Sequence, residues 1–317
     1  MLAIVCPGQG SQTPGFLAPW LELPGVRDHL TALSDIAGLD LIAHGTVSDE
    51  ETIKDTAVAQ PLIVAAGLMA AQLLMDPSEL TSATVVAGHS VGEITASAIA
   101  GALPEKDALV FVRERANAMA RAAAAEPTGM SAVLGGDPDD VAAVLEAAGL
   151  TAANANGGGQ VVAAGTHNQL EVLTAAPPAK ARVIPLKVAG AFHTSHMAPA
   201  VTVLEALRPS LSPQSPLATL LSNYDGAAVV SGEANLDSLI AQVSRPVRWD
   251  LCMENMSAMG VTGLLELPPA GTLTGLARRG MKGVPTLALK SPEDITAARE
   301  FIREHSGMAA TTGEGNA

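Results

Sequence analysis

The sequence is poor in aromatic residues and in cysteine. Aromatic side chains make up 2% of the 317 residues, as two Trp, one Tyr and four Phe, so the chain lacks the rings that form a stacking platform for nucleic acid. Its two cysteines, Cys6 and Cys252, are too few for a disulfide framework or a zinc cluster. We therefore expect a core packed from Ala, Val and Leu, with no metal site and no bound cofactor.

Positive charge is also scarce. The formal net charge is −14, which further disfavours binding to nucleic acid. The first 180 residues contain 7 Lys and Arg against 20 Asp and Glu, whereas the remaining residues contain 11 against 12. An acidic macromolecular partner is expected to approach the less acidic C-terminal half. The alternative is an acidic surface that only keeps the protein in solution.

A targeting signal and an uninterrupted membrane-length apolar run are missing as well. The opening MLAIVC has no basic region and stops at Pro7 and Gly8, which predicts a first strand rather than a signal peptide. The longest apolar stretch, 57–75, is broken by Gln60, Pro61 and Gln72, and it is typical of a buried helix. We expect a cytoplasmic protein without membrane contact.

The stretch around Ser90 carries the clearest chemical signal. Residues 84–87 have strand composition and run into Gly88-His89-Ser90-Val91-Gly92, and an Ala-rich segment of helical length follows. This strand, turn and helix context makes the G-x-S-x-G match a nucleophile-elbow hypothesis. A tight turn leaves no room for a Cβ at the two glycines, and the helix N-terminus faces a developing oxyanion. The alternative is a capping serine in a glycine-rich turn.

The alternation of strands and helices predicts a parallel sheet covered on both faces. From Thr128 the pattern changes to strand, helix, strand, strand, helix, strand, which is the βαββαβ order of a ferredoxin-like unit. We predict a small subdomain at 128–189, inserted into a large domain formed by 1–127 and 190–306. The small, polar residues 307–317 are expected to be a disordered tail.

A nucleophilic serine needs a general base, and the chain has seven histidines. His89 adjoins Ser90, but consecutive residues at a turn point apart, which favours a structural role. His193 and His196 lie directly after the predicted insertion, on the loop where the two domains meet, and sites form in interdomain clefts. The residues alone do not separate His193 from His196.

Two arginines lie among apolar residues of one predicted helix. Arg113 and Arg115 both have apolar neighbours three and four residues away, so either guanidinium could face an anion, or extend to solvent. Gln9 lies between two glycines in the loop after the first predicted strand, where ligand-contacting groups collect. It is a candidate donor; a plain turn is the alternative. Position 13 is Thr, so the loop is not a dinucleotide fingerprint.

Several motifs together resemble one family. They are PGQGSQ at 7–12, GHSVGE at 88–93, VRERANAM at 112–119, GAFHTSHM at 190–197, and AQVSRPVRW at 241–249 with LPPAGTLTGL at 267–276. Over nearly the whole chain, and in the same order, these resemble the malonyl-CoA:acyl-carrier-protein transacylases of fatty-acid and polyketide synthesis. The resemblance implies an α/β-hydrolase-like large domain with a parallel sheet and an inserted ferredoxin-like subdomain.

The resemblance also implies residue roles. It makes Ser90 the nucleophile, His193 the base, and Arg115 the partner of the malonyl carboxylate. The remaining implied roles belong to the oxyanion hole (Gln9 and the N–H of Val91), to the orientation of His193 through a backbone carbonyl (Gln242), and to the pocket (Met119 and Phe192). Two departures from the familiar pattern, Pro269-Ala270 in place of Gly-Pro and Gly190 in place of a frequent His, bear on substrate preference.

The implied substrates are malonyl-CoA and a phosphopantetheinylated acyl carrier protein, which is itself acidic. The expected docking surface is the less acidic C-terminal half, with these candidates: Arg182, Lys187, Arg278, Arg279 and Lys282. A monomer is expected rather than an oligomer. A serine hydrolase of esterase type, which would not need Arg115, and a non-catalytic acyl-binding subunit are the alternative functions.

Overall fold

The computed structural model describes residues 1–76 and 80–306, so the tail predicted at 307–317 lies outside the described residues. The strands are β1 Leu2–Cys6, β2 Thr84–Gly88, β3 Thr128–Gly135, β4 Thr151–Gly157, β5 Gln160–Thr166, β6 Ala181–Pro185, β7 Thr219–Leu220, β8 Val247–Arg248, β9 Gly263–Glu266 and β10 Thr286–Ala288.

The α-helices are α1 Val26–Ala37, α2 Leu41–Thr46, α3 Glu50–Lys54, α4 Thr56–Leu74, α5 Gly92–Ile99, α6 Glu105–Ala125, α7 Pro138–Ala147, α8 His167–Ala175, α9 Ala198–Leu207, α10 Gly232–Gln242, α11 Trp249–Ala258, α12 Thr272–Gly280 and α13 Ile295–His305. Short 3-10 helices occupy Ala18–Glu22, Ser195–Met197, Arg208–Ser210 and Pro292–Asp294.

The first sheet is parallel throughout, with the strand order β10-β9-β1-β2-β7. Every residue of β1 and β2 is buried, as expected for central strands that have helices on both faces. The predicted α/β class with a parallel sheet is confirmed. Because the strands are parallel, the loops that follow β1, β2 and β7 meet at one edge of this sheet, where sites of such sheets form.

Helix α4 is the apolar segment that sequence analysis assigned to the core. It has the length and hydropathy of a membrane span, and 72% of its apolar window is buried inside the protein. It packs against α5 and α6. The helix therefore has the environment of a core helix.

The second sheet has the order β6-β3-β5-β4-β8. Strands β3, β4, β5 and β6 pair antiparallel within the segment 128–189. Strand β8 comes from the chain after that segment and pairs parallel with β4, through Val247 opposite Asn154 and Arg248 opposite Ala155. The two parts of the chain thus share this sheet.

Two helices were not identified from the sequence. One is the 12-residue helix α1, whose buried residues Val26, Leu30, Leu33 and Ala37 recur at helical spacing. The other is helix α12, whose first N–H groups are satisfied by a carboxylate that precedes the helix in the chain and is not next to it. The carboxylate of Glu266, at the end of β9, accepts from the backbone N–H groups of Leu273 and Thr274 at 2.9 and 2.8 Å.

Candidate active site

The turn after β2 has the geometry of a nucleophile elbow. Ser90 has φ 54°, a left-handed conformation that is costly for a residue with a side chain. A Cβ at Gly88 would collide with the backbone of Gly92, and one at Gly92 would collide with the carbonyl oxygen of Cys6. Val91 is the N-cap residue of α5. The two glycines therefore permit the close approach of strand, turn and helix on which the position of Ser90 depends.

The structure separates the two candidate bases. The hydroxyl of Ser90 lies 2.7 Å from Nε2 of His193, and Nδ1 of His193 lies 2.8 Å from the backbone carbonyl oxygen of Gln242. Because that carbonyl only accepts, Nδ1 carries the hydrogen and Nε2 is left to accept from the serine. His196 instead pairs with the exposed carboxylate of Glu126 at 2.7 Å.

The surroundings of His193 keep its imidazole neutral. The side chain is buried, and burial followed by the charge of Arg115 lowers its pKa to about 3, against the opposing hydrogen bond to Gln242. Both causes penalise the imidazolium form. At neutral pH His193 is therefore a proton acceptor that is already aligned with the serine hydroxyl.

The structure also chooses between the two arginines. Arg115 is 1% exposed, and its guanidinium donates to the side-chain oxygens of Gln60 at 2.6 Å and Gln242 at 2.9 Å. Its Nη2 lies 3.5 Å from Oγ of Ser90, and its buried Nε lacks a hydrogen-bond partner among the described residues. Arg113 points away, toward Glu114 and the carbonyl of Ile36.

Burial lowers the pKa of Arg115 to about 10, and the charge of Glu93 opposes this shift. The guanidinium is thus a cation at neutral pH, held beside the hydroxyl of Ser90 in a buried site. Such a group favours an anionic partner, and its planar fork matches a carboxylate.

Ser90 and His193 line a cavity of about 260 Å³ between the two sheets. Arg115 is not itself a lining residue, but Gln60, which accepts from its guanidinium, is. The remaining residues predicted for the site, namely Gln9, Val91, Met119 and Phe192, all line it. The side-chain amide of Gln9 donates to the carbonyl of Lys54 and the hydroxyl of Thr56, both at 3.3 Å. From the second sheet the lining residues are Met130, Asn154, Asn156, Gln160 and Val162. The cavity therefore has two walls. We call the one with Ser90 and His193 the parallel-sheet wall, and the one formed by these five residues the second-sheet wall.

His89 lines the cavity and bonds to the second sheet. Its Nε2 lies 2.8 Å from Oδ1 of Asn156, and its ring meets the edge of Trp249 at 5.8 Å between centroids. These contacts hold the nucleophile turn against β4. Within residues 1–76 and 80–306, no group of three or more His, Cys, Asp or Glu side chains is placed to hold a metal ion.

Sequence reasoning missed three buried polar residues of the site: Gln60, which lines the cavity, and Glu93 and Asn223, which lie behind it. Gln60 was noted only as an interruption of an apolar run, although a polar residue inside a core helix is itself a signal. Oδ1 of Asn223 accepts from the N–H of Ser90 at 2.8 Å. No local pattern identifies Asn223, because its partners are distant in sequence.

The comparisons with known proteins cover nearly the whole chain. A family model described as acyl transferase domain matches residues 3–314. The chain is 53% identical, over 296 residues, to the malonyl CoA-acyl carrier protein transacylase of Mycobacterium tuberculosis. The alignment covers 93% of this chain and 98% of that relative. The crystal structure of MCAT from the same organism has a TM-score of 0.91 at 52% identity, covering 94% of this chain and 99% of that one.

A solved complex of a type II PKS acyl-carrier protein with its malonyl-transacylase is also similar. It has a TM-score of 0.86 at 29% identity, covering 94% of this chain and 99% of that one. One of the similar structures is thus that of a malonyl-transacylase in complex with an acyl-carrier protein.

Proposed function

The chain is an acyltransferase of the malonyl-CoA:acyl-carrier-protein transacylase family, and we propose that it transfers malonyl from coenzyme A to a carrier protein through malonyl-Ser90. One observation carries the proposal. The hydroxyl of Ser90 lies 2.7 Å from Nε2 of His193 and 3.5 Å from Nη2 of the buried Arg115. A nucleophile with an aligned base and an adjacent cation suits an acyl group that ends in a carboxylate.

In the first half-reaction, Oγ of Ser90 attacks the thioester carbon while Nε2 of His193 takes the hydroxyl proton. The new C–O bond forms, the carbonyl becomes an oxyanion, and the C–S bond then breaks. His193 returns the proton to the leaving sulfur of coenzyme A. The carbonyl of Gln242 holds the Nδ1 hydrogen throughout, which fixes the tautomer that the step needs. The phosphopantetheine thiol of the carrier protein reverses these steps in the second half-reaction.

The oxyanion is stabilised by the N–H of Val91, at the start of α5, together with Gln9. Val91 follows the nucleophile directly, so its N–H is positioned by the same strained turn. Gln9 lies in the facing loop and lines the same cavity. Met119 and Phe192 bound the space for the acyl chain, and Arg115 binds its free carboxylate.

The carrier protein docks over the mouth of the cavity. Lys187 lies between the lining residues Leu186 and Val188, and Arg279 donates to the lining residue Gln160 at 3.0 Å. The other candidates are Arg182 on β6 and Arg278 and Lys282 near the end of α12. Cations on both sides of the opening suit an acidic carrier. Charge reversal at all five should raise the Michaelis constant for the carrier protein, and an unchanged constant would remove this docking surface.

We assign the parallel sheet to an α/β-hydrolase-like domain formed by 1–127 and 190–306, and the βαββαβ segment 128–189 to a ferredoxin-like subdomain. The order β6-β3-β5-β4 supports the second assignment. The enzyme acts as a cytoplasmic monomer, without membrane, nucleic acid or bound cofactor. The net charge of −14, the scarcity of aromatic residues and the burial of α4 support this setting.

The test is to incubate the protein separately with malonyl-, methylmalonyl- and acetyl-CoA and to locate the added mass by peptide mass spectrometry. We expect malonyl on Ser90, slow hydrolysis without carrier protein, and rapid loss when holo carrier protein is added. Rapid hydrolysis without the carrier would identify an esterase instead. A protein that never gains an acyl group would be a non-catalytic binding subunit.

A further inference from the structure

A buried carboxylate, that of Glu93, lies behind the nucleophile, and the reaction steps above do not use it. Glu93 is in the first turn of α5 and is 4% exposed. One of its oxygens, Oε1, accepts from the backbone N–H of Asn223 at 2.6 Å, and the other, Oε2, accepts from the side-chain amide of Gln242. Burying a carboxylate costs free energy unless the group is paired or hydrogen-bonded, so these two partners indicate its role.

The contact with Gln242 continues to the cation of the site. The side-chain oxygen of Gln242 accepts from Arg115 at 2.9 Å, while its nitrogen donates to Glu93. Arginine only donates, and an ionised carboxylate only accepts. The amide of Gln242 can therefore satisfy both neighbours in one orientation alone, which Arg115 and the carboxylate of Glu93 fix together.

The contact with Asn223 leads to the nucleophile. The side chain of Asn223 accepts from the N–H of Ser90 at 2.8 Å and donates to the carbonyl of Gly88 at 2.7 Å. It thus holds the strained turn from both sides, and the carboxylate of Glu93 holds its backbone in place. Gln242, the other partner of Glu93, holds His193 through its backbone carbonyl at 2.8 Å.

We propose that Glu93 is a positioning residue, whose acceptor-only carboxylate aligns Ser90, His193 and Arg115 with one another through Asn223 and Gln242. This inference rests on the proposed function for its assay, though its geometry does not depend on the acyl group. The titratable groups that face Glu93 are the guanidinium of Arg115 and the thiol of Cys252. Burial raises the pKa of Glu93 to about 8, while its hydrogen bond to Asn223 and then the charge of Arg115 act to lower it.

The donor and acceptor pattern makes Glu93→Gln a sharp test, because the change keeps the size of the side chain. Whichever way the new amide turns, its NH2 group meets a donor, either the N–H of Asn223 or the amide nitrogen of Gln242. At pH 9, above the pKa of about 8 for Glu93, the wild-type carboxylate is mostly ionised. There we expect kcat/KM for malonyl transfer to fall about 10- to 100-fold in Glu93→Gln, the cost of one buried unmatched donor. The preference for malonyl over acetyl should fall with it.

Gln242→Glu alone should lose at least as much, because it sets two carboxylates against each other. The double variant Glu93→Gln with Gln242→Glu restores the alternation of donors and acceptors. The new amide at position 93 can then donate to the new carboxylate at position 242, and that carboxylate can accept from Arg115. We expect the double variant to recover about 10-fold over either single variant.

Glu114→Gln is the matched control, because Glu114 is a carboxylate that bonds Arg113 away from the cavity. Its kcat/KM should stay within about twofold of the wild type. A comparable loss in this control would show that removing any carboxylate from this part of the protein slows the reaction, and the proposal for Glu93 would fail.

A second readout is the labelling rate of Ser90 with a fluorophosphonate probe, which needs the serine and histidine but no acyl group. If the single variants fold, as thermal melting reports, but match the wild type in labelling and transfer, or if the double variant recovers nothing, Glu93 has no positioning role. Failure of the proposed function is a different result: the wild type would then label normally and transfer no malonyl.

Discussion

The two walls of the cavity differ in how their side chains are held. On the parallel-sheet wall, Ser90 and His193 have left-handed backbones, with φ of 54° and 63°. Each is held by a hydrogen bond from a distant segment, Ser90 by Asn223 and His193 by Gln242. On the second-sheet wall, the lining residues belong mostly to strands β3, β4 and β5, and β4 shifts its register beside Asn154 and Asn156. Among the residues that line the cavity, only Ser90 and His193, the two that the proposed reaction uses, combine a side chain with a left-handed backbone.

The walls differ in charge as well. The buried cation of Arg115 adjoins the parallel-sheet wall, 3.5 Å from Oγ of Ser90, with Glu93 behind it. The lining residues Met130, Asn154, Asn156, Gln160 and Val162 of the second sheet are uncharged. Since charge in a buried site acts strongly on the reacting groups, changes on the first wall should alter the chemical step or the choice of acyl group. Changes on the second wall should alter binding.

The largest expected effect comes from removing the cation of the first wall. Arg115→Ala would leave the malonyl carboxylate without its partner, so we expect malonyl transfer to fall by roughly 10³-fold or more, while acetyl transfer survives. The measurement is kcat/KM for both acyl-CoA substrates. Arg113→Ala, on the same helix but directed away from the cavity, should leave the ratio unchanged. Equal loss for both acyl groups would refute the role of Arg115.

The next effect concerns the base on the same wall. His193 must be neutral to accept a proton, and burial with the charge of Arg115 lowers its pKa to about 3. The acylation rate of Ser90 should therefore stay level as pH falls from 7 to 4, a range that lies below the pKa of about 8 for Glu93. An ordinary histidine, with a pKa of about 6.5, would lose more than 100-fold over that range.

Rapid-quench mass spectrometry of the acyl-enzyme formed from acetyl-CoA would measure this profile. In Arg115→Met, one cause of the lowered pKa is removed, so the pKa of His193 should rise and the acid limb should move to higher pH. A wild-type limb centred near pH 6.5 would contradict the buried, neutral histidine.

A smaller effect is expected on the second wall. Gln160 lines the cavity and its side-chain oxygen accepts from Arg279 at 3.0 Å. Gln160→Ala removes one partly exposed hydrogen bond at the mouth, so we expect the Michaelis constants for both substrates to rise about 2- to 10-fold, with kcat unchanged. Steady-state kinetics with each substrate varied would test this. A loss confined to kcat would mean that the second wall takes part in the chemistry.

The contrast between the walls also explains what the sequence could predict. The strand, turn and helix around Ser90 could be predicted because the glycines and the serine are neighbours in the chain, and the succession of strands and helices in 128–189 followed from local patterns. His193 could not be separated from His196 on chemistry alone, because the choice depends on the carbonyl of Gln242, 49 residues away. Gln60, Glu93 and Asn223 were missed for the same reason: each acts through partners that only the fold brings near.

The smallest expected effect is on stability. Ser90 and Lys180 both have left-handed backbones, with φ of 54° and 60°, but Ser90 is at the site, whereas Lys180 is an exposed residue before β6. Relative to Ala at the same position, Gly relieves this strain in the folded state, although it also adds conformational freedom to the unfolded chain. The net effect should raise the free energy of unfolding by about 0.5–1 kcal/mol.

We therefore expect Ser90→Gly to melt at a higher temperature than Ser90→Ala, and Lys180→Gly above Lys180→Ala, by similar amounts. Calorimetry of the four variants would show it. Both Ser90 variants should be inactive and both Lys180 variants should be active, because the strain is the same but only one position holds the nucleophile. Equal melting temperatures for Ser90→Gly and Ser90→Ala, with different ones for the Lys180 pair, would mean that the backbone at Ser90 is not strained. The two walls would then differ only in their hydrogen bonds and charge.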